Sequence, residues 1–195
     1  MRLYSGIAED FVGDVQRNRI AERLEAAFFD YYRYSPPRSE MTSWRNSLSA
    51  MAHALNLAKF KRQGVILEYE LPLSSKRLDC LICGADAKGD DQAVIVELKQ
   101  WERCGPSDVD KVVVWLGGSH RAVLHPSVQV NQYQRYLEDS HTAFHEGEAP
   151  VGLSSCAYLH NYHFLEEDPI RDVKFAEVVA DSPIFSATDA EDVAT

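Results

Sequence analysis

Hydrophobic residues recur at helical spacing along the first 60 residues of the chain. The clearest amphipathic stripe lies between residues 44 and 55, and it predicts a helix with one buried face. Its members stand three or four residues apart: Trp44, Leu48, Met51 and Leu55. An earlier helical pattern, which Ser5 can cap, runs to about residue 31 and ends before the prolines of SPPRS at 35–39. We therefore expect two helical regions before the first strand.

Between residues 64 and 99 the apolar positions change to the pattern of strands. Gly64 and Pro72 bound the first run, residues 77–83 form the second, and AVIVELK at 93–99 forms the third. The third run is apolar almost throughout, which is typical of a central strand that is covered on both faces. The sequence therefore predicts three neighbouring strands here.

After residue 100 helical and strand patterns alternate. Residues 102–127 combine VVVW with GGSH and HP, and we expect a mobile insertion there. A helix is expected from Ser127 to residue 144, followed by a strand over 151–162. A short helix would follow, capped by Asp168 and with Pro169 at its first position.

This order of elements predicts an α/β fold, in which a mixed central β-sheet is flanked by helices. At 195 residues the chain is long enough for one domain with a full hydrophobic core. We expect that domain to occupy residues 1–180. Residues 181–195 are small and acidic, and are expected to form a tail or a linker.

Composition and charge exclude some classes of protein. No apolar run approaches the roughly 20 residues that a membrane helix requires, and the N-terminus has acidic residues where a secretory signal has its apolar core. Four cysteines indicate reduced thiols, so we expect a cytoplasmic protein with no membrane contact. The net charge of −10 means that any contact with nucleic acid must be local, through a small basic patch or a bound metal.

Charged residues interrupt two of the predicted strands. Glu97 and Lys99 leave the same face of the third strand, because side chains repeat every second residue. Asp79 on the second strand would complete an acidic pair. Two carboxylates, with the backbone carbonyl of Leu98, are oxygen ligands of the kind that Mg²⁺ prefers, and Lys99 could steer an attacking water or neutralise developing charge. On spacing alone, an ion pair between Asp79 and Lys99 explains these residues equally well.

The helix that follows the insertion adds two polar side chains. Gln129 and Tyr133 are four residues apart, which places them on one helical face where both can reach the sheet. An ordinary amphipathic helix accounts for the tyrosine, but it does not explain a glutamine on the buried side.

Three motifs in order resemble those of the PD-(D/E)xK nuclease superfamily, in its RecB-like branch with a Q-x-x-x-Y motif: LDC at 78–80, VELK at 96–99 and QVNQY at 129–133. The resemblance implies a restriction-endonuclease-like core. It also implies that Asp79, Glu97 and the Leu98 carbonyl hold Mg²⁺ or Mn²⁺. Lys99 would position the attacking water, while Gln129 and Tyr133 would orient the substrate or Lys99.

The same branch commonly places an acidic residue on the first helix. Glu22 is the best match in this chain and Glu25 the second, although a solvated helix face explains either residue equally well. Glu68, beside the first predicted strand, is a further acidic residue that would support the metal indirectly.

A closer resemblance is to the N-terminal nuclease-like module that precedes a superfamily 1, Schlafen-type helicase domain in bacterial proteins. It rests on YSGIAEDFVGDV, SWRNSL, LPLSSKRLDCLI, VELKQW, HPSVQVNQY and CAYLHNY, which together cover most of the chain. No GxxxxGK[ST] phosphate-binding loop is present, so a helicase motor would be a partner in cis or in trans. The resemblance implies DNA processing or antiviral defence. The alternative is a catalytically inactive nuclease fold that serves as a docking module for nucleic acid or protein.

Scattered basic residues could form the local patch that contacts phosphates. They are Lys76, Arg77, Lys111, His120, Arg121, His125 and Arg135. For each of them an ordinary surface charge is the alternative. Trp101, directly after the third strand, offers a ring for base stacking, or else packs in the core.

Cys80 and Cys83 form a CxxC sequence that suggests a zinc or iron–sulfur site. Residues three apart on a strand point to opposite faces, however, so the two thiols cannot readily bind one metal. We therefore expect buried free thiols.

Overall fold

The computed structural model describes residues 1–193 as an α/β protein with a mixed six-stranded sheet and five α-helices. The helices are α1 (Ala8–Gln16), α2 (Ile20–Tyr32), α3 (Arg38–Leu57), α4 (Pro126–Ser140) and α5 (Ala176–Asp181). The strands are β1 (Tyr4–Ile7), β2 (Gly64–Glu70), β3 (Arg77–Ala85), β4 (Asp91–Lys99), β5 (Gly105–Pro106), β6 (Lys111–Leu116), β7 (Ser119–Leu124), β8 (Gly152–Leu159) and β9 (Ile184–Ser186). The predicted fold class is therefore confirmed.

The main sheet has the strand order β1-β2-β3-β4-β8-β9. Strands β1 to β4 are antiparallel to their neighbours, whereas β8 and β9 run parallel to β4 and β8. The central position of β4 explains its nearly continuous apolar sequence, because both faces of the strand are covered.

Two layers of helices cover the sheet. Helices α1, α2 and α3 pack on one face, where the predicted stripe of α3 is buried against side chains such as Leu67 and Val96. Helix α4 covers the other face through Val130, Tyr133 and Leu137. Glu97 and Lys99 lie on the α4 face by strand alternation, next to Ile95.

The N-terminal helix begins later than predicted. Residues 4–7 form the edge strand β1, which pairs with residues 64–67 of β2. Ser5 consequently lies within a strand and does not cap α1, whose N-cap is Ile7. A four-residue strand shows almost no alternation of its own, and its conformation is set by pairing with a segment sixty residues away.

The expected mobile insertion is instead a small ordered sheet. Strands β5, β6 and β7 pair in antiparallel order, and Gly117 and Gly118 form the tight turn between β6 and β7 with φ values of 57° and 86°. Val112 and Val114 are buried against Phe175 of the C-terminal segment. The alternation of these valines with exposed residues is a strand pattern, and the glycines are its hairpin turn.

The expected tail from residue 181 is part of the domain as far as residue 193. Strand β9 pairs in parallel with β8, and Ala190 and Val193 are buried in the core beneath α1–α3. Short strands that pair only with distant residues carry little local signal, which is why composition suggested a tail. Residues 194 and 195 lie outside the described part of the chain.

Smaller boundaries differ as well. Strand β8 ends at Leu159 rather than at residue 162, and the predicted helix after Asp168 is two short 3-10 turns followed by α5. Asp168 does accept a hydrogen bond from the backbone of Ile170, as an N-cap should.

No helix within residues 1–193 is long and apolar enough to cross a membrane.

Candidate active site

Three acidic residues occupy one row of backbone positions across three adjacent strands. The β3–β4 register pairs Cys80 with Val96, so its next position brings Asp79 opposite Glu97. The β2–β3 register pairs Leu67 with Cys80, so the same step brings Glu68 opposite Asp79. Antiparallel pairing therefore collects residues from three separate stretches of sequence at one end of the sheet.

Asp79 connects its strand to the neighbouring one through a side-chain hydrogen bond. Its Oδ2 accepts a hydrogen bond from the backbone amide of Leu98 at 2.7 Å. Burial raises the pKa of Asp79 well above its ordinary value, and the negative charges of Glu97 and Glu68 raise it further, while Lys99 and the Leu98 amide act in the opposite direction. A cation bound between these carboxylates would relieve that repulsion and favour the ionised form.

Glu97 is a buried carboxylate with one oxygen in use and one free. Its relative exposure is 3%. Oε1 accepts hydrogen bonds from Lys99 Nζ and from Gln129 Nε2, both at 2.6 Å. Oε2 is buried and has no hydrogen-bond partner among the described residues. A buried polar atom without a partner costs about 1–3 kcal/mol, so this oxygen is a position at which a ligand is expected.

Lys99 is held as an ammonium ion between β4 and α4. Its Nζ donates to Glu97 Oε1 and, at 3.1 Å, to Gln129 Oε1. Burial alone would lower the pKa of Lys99, but the negative charges of Glu97 and Asp79 outweigh that effect and raise it. Lys99 therefore acts as a charged donor rather than as a proton acceptor at neutral pH.

Gln129 and Tyr133 on α4 complete the cluster. The Gln129 amide donates from Nε2 to Glu97 and to the Tyr133 hydroxyl, the latter at 3.0 Å, while its Oε1 accepts from Lys99. The Glu97 carboxylate requires a hydrogen-bond donor and the Lys99 ammonium requires an acceptor, so these two neighbours fix the orientation of the Gln129 amide. Burial and the charge of Glu97 raise the pKa of Tyr133, which keeps the phenol protonated. The two α4 residues thus lie together on the site, in agreement with their spacing.

The donors present fit a hard divalent cation. Asp79 keeps one carboxylate oxygen outside its bond to Leu98, and Glu97 keeps the unpartnered Oε2. Among residues 1–193 no group of three or more His, Cys, Asp or Glu side chains is arranged to hold a metal. Mg²⁺ commonly uses only one or two protein carboxylates and completes its shell with water and substrate phosphate, so the carboxylates of Asp79 and Glu97 are a sufficient protein contribution.

Glu68 has an unusual backbone conformation beside this site. Its φ of 52° lies in the left-handed region, which costs a residue other than glycine about 1–2 kcal/mol. Its carboxylate turns to the α3 layer, where it accepts a hydrogen bond from Trp44 Nε1 at 2.8 Å and lies 3.4 Å from Arg77 Nε. Burial raises the pKa of Glu68 to about 7, against the opposing effects of Arg77 and Trp44. The negative charge of Glu68 raises the pKa of Asp79, but the hydrogen bond and ion pair of its carboxylate go to Trp44 and Arg77, outside the inner cluster.

Glu22 does not belong to the cluster. It is exposed on α2, and the two carboxylates that raise the pKa of Asp79 are Glu97 and Glu68. Glu25, the second choice on the same helix, is half-buried, and its charge is likewise not among those that shift Asp79. The register between β2 and β3 brings Glu68 to the row, so the third acidic residue that acts on Asp79 comes from a strand and not from the first helices.

Only some of the predicted basic residues lie near the site. Lys76 does, since its Nζ is 5.7 Å from the centre of the Tyr133 ring. Arg77 is bound by Glu40 and Glu68, so its charge is already balanced.

Two further members of the predicted basic patch, His125 and Arg135, do not lie at the carboxylates. His125 is fully buried, caps α4, stacks on Phe175 at 4.0 Å and is 2.9 Å from the Ile170 carbonyl. Burial lowers its pKa to about 4, so it is a neutral structural residue. Arg135 lies on the α5 side of α4, 4.0 Å from Asp181.

His120 and Arg121 are exposed on β7 of the small sheet, and Lys111 is exposed at the start of β6. They are separated from the carboxylates by the end of β4 and Trp101. Trp101 is half-buried and packs against the buried apolar side chains of β8 and of β6. The centre of its ring lies 5.6 Å from Lys99 Nζ. Of the two alternatives for Trp101, packing is what the structure shows.

The CxxC cysteines point to opposite faces, as strand alternation predicts. Cys80 packs in the core under α1–α3, and Cys83 packs against the α4 cluster. All four cysteines of the chain are free, and burial raises the pKa of Cys80 and Cys156 strongly.

A polar network that the sequence did not reveal lies just beyond Lys99. Gln100 Nε2 donates to Ser43 Oγ at 2.7 Å and to Ser47 Oγ at 3.1 Å, and Ser47 Oγ is 3.1 Å from His160 Nε2. These residues come from α3, from the end of β4 and from the segment after β8, so no short motif contains them.

Comparisons of the chain with protein-family models, with curated proteins and with solved structures found no match. The residues and their geometry therefore carry the functional argument.

Proposed function

We propose that this chain is a metal-dependent nuclease with a restriction-endonuclease-like core, which hydrolyses phosphodiester bonds of nucleic acid, with DNA as the expected substrate. The observation that carries the proposal is Glu97: a fully buried carboxylate, fixed by Lys99 and Gln129 on one oxygen and without a partner on the other. A simple ion pair would leave no reason for a second, unpartnered buried oxygen beside Asp79.

Asp79 and Glu97 are the proposed ligands of Mg²⁺ or Mn²⁺, with the Leu98 carbonyl as a third donor. When bound, such a cation polarises a phosphoryl oxygen and lowers the pKa of a coordinated water. The chain's own contribution is a fixed ammonium group: Lys99 donates hydrogen bonds and positive charge where a phosphate would enter. Gln129 holds Lys99 in place, and the Tyr133 hydroxyl holds Gln129.

Lys99 and Lys76 also supply the local positive charge that an acidic protein needs at a phosphate site. The chain carries a net charge of −10, so long-range attraction of nucleic acid is not expected. Lys99 lies beside Glu97, and Lys76 lies 5.7 Å from the ring of Tyr133, whose hydroxyl accepts a hydrogen bond from Gln129 in the same cluster.

The experiment is incubation of linear DNA, circular DNA and RNA with the purified protein in Mg²⁺ or Mn²⁺. Wild type is compared with Lys99→Ala and Glu97→Gln, and Lys88→Ala in the exposed β3–β4 turn is the matched control. We expect cleavage by wild type and by the control, loss of at least about 100-fold in the two site variants, and no cleavage in EDTA. Equal cleavage by wild type and both site variants would show that the site is wrong. Absence of cleavage on every substrate would favour the docking module.

We further propose that the nuclease works together with a superfamily 1 helicase in DNA processing or antiviral defence in the cytoplasm. This part rests on the sequence resemblance described above and on the free thiols, which suit a reducing compartment. Co-purification of the tagged chain from its native host, with mass spectrometry for helicase motor sequences, tests it; recovery of no such motor under crosslinking would contradict it.

A further inference from the structure

A cleft of about 660 Å³ begins at Lys99 and runs between the end of β4 and the small sheet. On the side of β4 it is lined by residues 98–103, and on the side of β6 by Val114, Trp115 and Leu116. Ser43 of α3 closes the third side. Because Lys99 belongs both to the carboxylate cluster and to this cleft, a polymer that reacts at the cluster would continue into the cleft.

The β6 side of the cleft presents an exposed tryptophan. Trp115 is 62% exposed, and it lies opposite His120 on β7 with the two rings 5.0 Å apart. The neighbouring Val114 is buried, so strand alternation fixes the tryptophan on the outer face of the hairpin. An exposed indole held on a rigid strand is a suitable platform for stacking an unpaired base.

The opposite side of the cleft is polar and fixed. Gln100 donates to Ser43 Oγ at 2.7 Å, and its Oε1 accepts from Asn46 Nδ2 at 3.2 Å. Ser43 and Gln100 both line the cleft, and Ser43 is half-buried, so its hydroxyl can donate a hydrogen bond to a backbone phosphate or sugar. The cleft thus has an aromatic side and a hydrogen-bonding side, which are the two surfaces that one nucleotide strand requires.

Cationic side chains lie along the cleft, but they are largely balanced. Lys99 and Arg103 are positive and Glu102 is negative among its lining residues, and the Lys99 ammonium is paired with Glu97 at 2.6 Å. Arg121 lies opposite Val114 on β7 and is exposed at the same end of the small sheet. Recognition of a strand in this cleft therefore depends on stacking and hydrogen bonds more than on net charge.

We infer that this cleft binds unpaired nucleotides next to the cleaved phosphodiester, with one base stacked on Trp115 and the strand leading to Lys99. The inference rests on the proposed nuclease function and specifies its substrate as single-stranded nucleic acid or a duplex with an unpaired end. A base within an intact duplex has both faces covered by its neighbours, so it cannot stack on a side chain.

The test measures binding of a dye-labelled single strand of about 12 nucleotides, a length suited to one domain, and of a closed hairpin duplex, by fluorescence anisotropy in EDTA. Trp115→Ala removes the ring, Trp115→Phe keeps an aromatic face, and Leu165→Ala is the control, because Leu165 is a large exposed residue at 64%. We expect Trp115→Ala to weaken single-strand binding about 10-fold, Trp115→Phe and Leu165→Ala to weaken it less than about 3-fold, and duplex binding to stay unchanged.

Unchanged binding of the single strand by Trp115→Ala overturns the inference, as does an equal loss for the duplex. The two proposals fail separately. If wild type cleaves nucleic acid and Trp115→Ala binds and cleaves as wild type does, only the cleft assignment is wrong. If single strands bind through Trp115 and no substrate is cleaved with Mg²⁺ or Mn²⁺, the nuclease proposal fails and the cleft remains as a binding site.

Discussion

Gln129 on α4 donates a hydrogen bond to Glu97 on β4 at 2.6 Å, across 32 positions of sequence. The same amide accepts from Lys99, so one neutral side chain holds both Glu97 and Lys99 in place. This relationship makes α4 part of the candidate site, and not only a cover for the sheet.

Replacement of Gln129 by alanine is expected to lower the cleavage rate by about 10- to 100-fold, because each lost hydrogen bond to a charged group is worth about 1.5–3 kcal/mol. The effect should fall on kcat, since Lys99 loses its orientation and not its charge. Gln132→Ala, an exposed residue on the same helix, is the matched control. Steady-state kinetics on the substrate found for wild type measures both variants, and equal rates for the two would contradict the role given to Gln129.

Glu68 should make the free energy of unfolding depend on pH. Its pKa is raised from 4.5 to about 7 in the folded protein, so the folded state holds the proton more tightly than the unfolded chain. Its contribution is complete below pH 4.5 and is lost as the pH rises through about 7. Urea unfolding of metal-free protein at several pH values should therefore show a decline over this window that is smaller in Glu68→Gln, where only Asp79, whose pKa is also raised, still contributes to it. Glu70→Gln, half-buried two residues on, should keep the decline; a Glu68→Gln variant with the wild-type pH profile would refute the assignment.

His125 should make the free energy of unfolding depend on pH in the opposite direction to Glu68. Its pKa is lowered from 6.5 to about 4, so its contribution to stability is complete above pH 6.5 and is lost as the pH falls to about 4. The loss amounts to about 3 kcal/mol at pH 4. Thermal unfolding between pH 4 and 7 measures it, and the His125→Gln variant should show a flatter profile than wild type. His120→Gln, which changes an exposed histidine, should not flatten it, and identical profiles for all three proteins would disprove the burial argument.

The C-terminal segment should be required for folding. Val193 is 4% exposed in the core beneath α1–α3, so Val193→Asp should reduce the free energy of unfolding by about 3 kcal/mol or more. Val173→Asp, at a position that is 86% exposed, should change it by less than about 0.5 kcal/mol. Chemical denaturation compares them. A harmless Val193→Asp substitution would mean that the segment does behave as a tail.

The parts of the site that follow local periodicity were predictable from sequence. Strand alternation places Glu97 and Lys99 on one face of β4, and helical spacing places Gln129 and Tyr133 on one face of α4. The structure brings these two pairs into one hydrogen-bonded cluster. Asp79 was predictable because only one acidic residue stands near the middle of its strand's apolar run.

The parts that depend on pairing between distant strands were not predictable. The sequence names Glu68 only as an indirect support, because the β2–β3 register and the left-handed backbone that place it opposite Asp79 leave no local pattern. Glu22 is expected from the family resemblance alone, and helical periodicity does not show which helix approaches the end of the sheet. Strands β1 and β9 are four and three residues long and form only through long-range pairing, so the sequence suggested a helix and a tail in their place.

Asp79 and Glu97 are proposed to bind a divalent cation, and a crystal soaked in Mn²⁺ and measured at the manganese absorption edge tests this binding. We expect one anomalous peak about 2.1 Å from a carboxylate oxygen of each residue, with Glu97 Oε2 as one of the two. The peak should be absent from Glu97→Gln crystals prepared in the same way. A wild-type crystal with no peak between Asp79 and Glu97 at saturating Mn²⁺ would contradict the metal site and the nuclease proposal built on it.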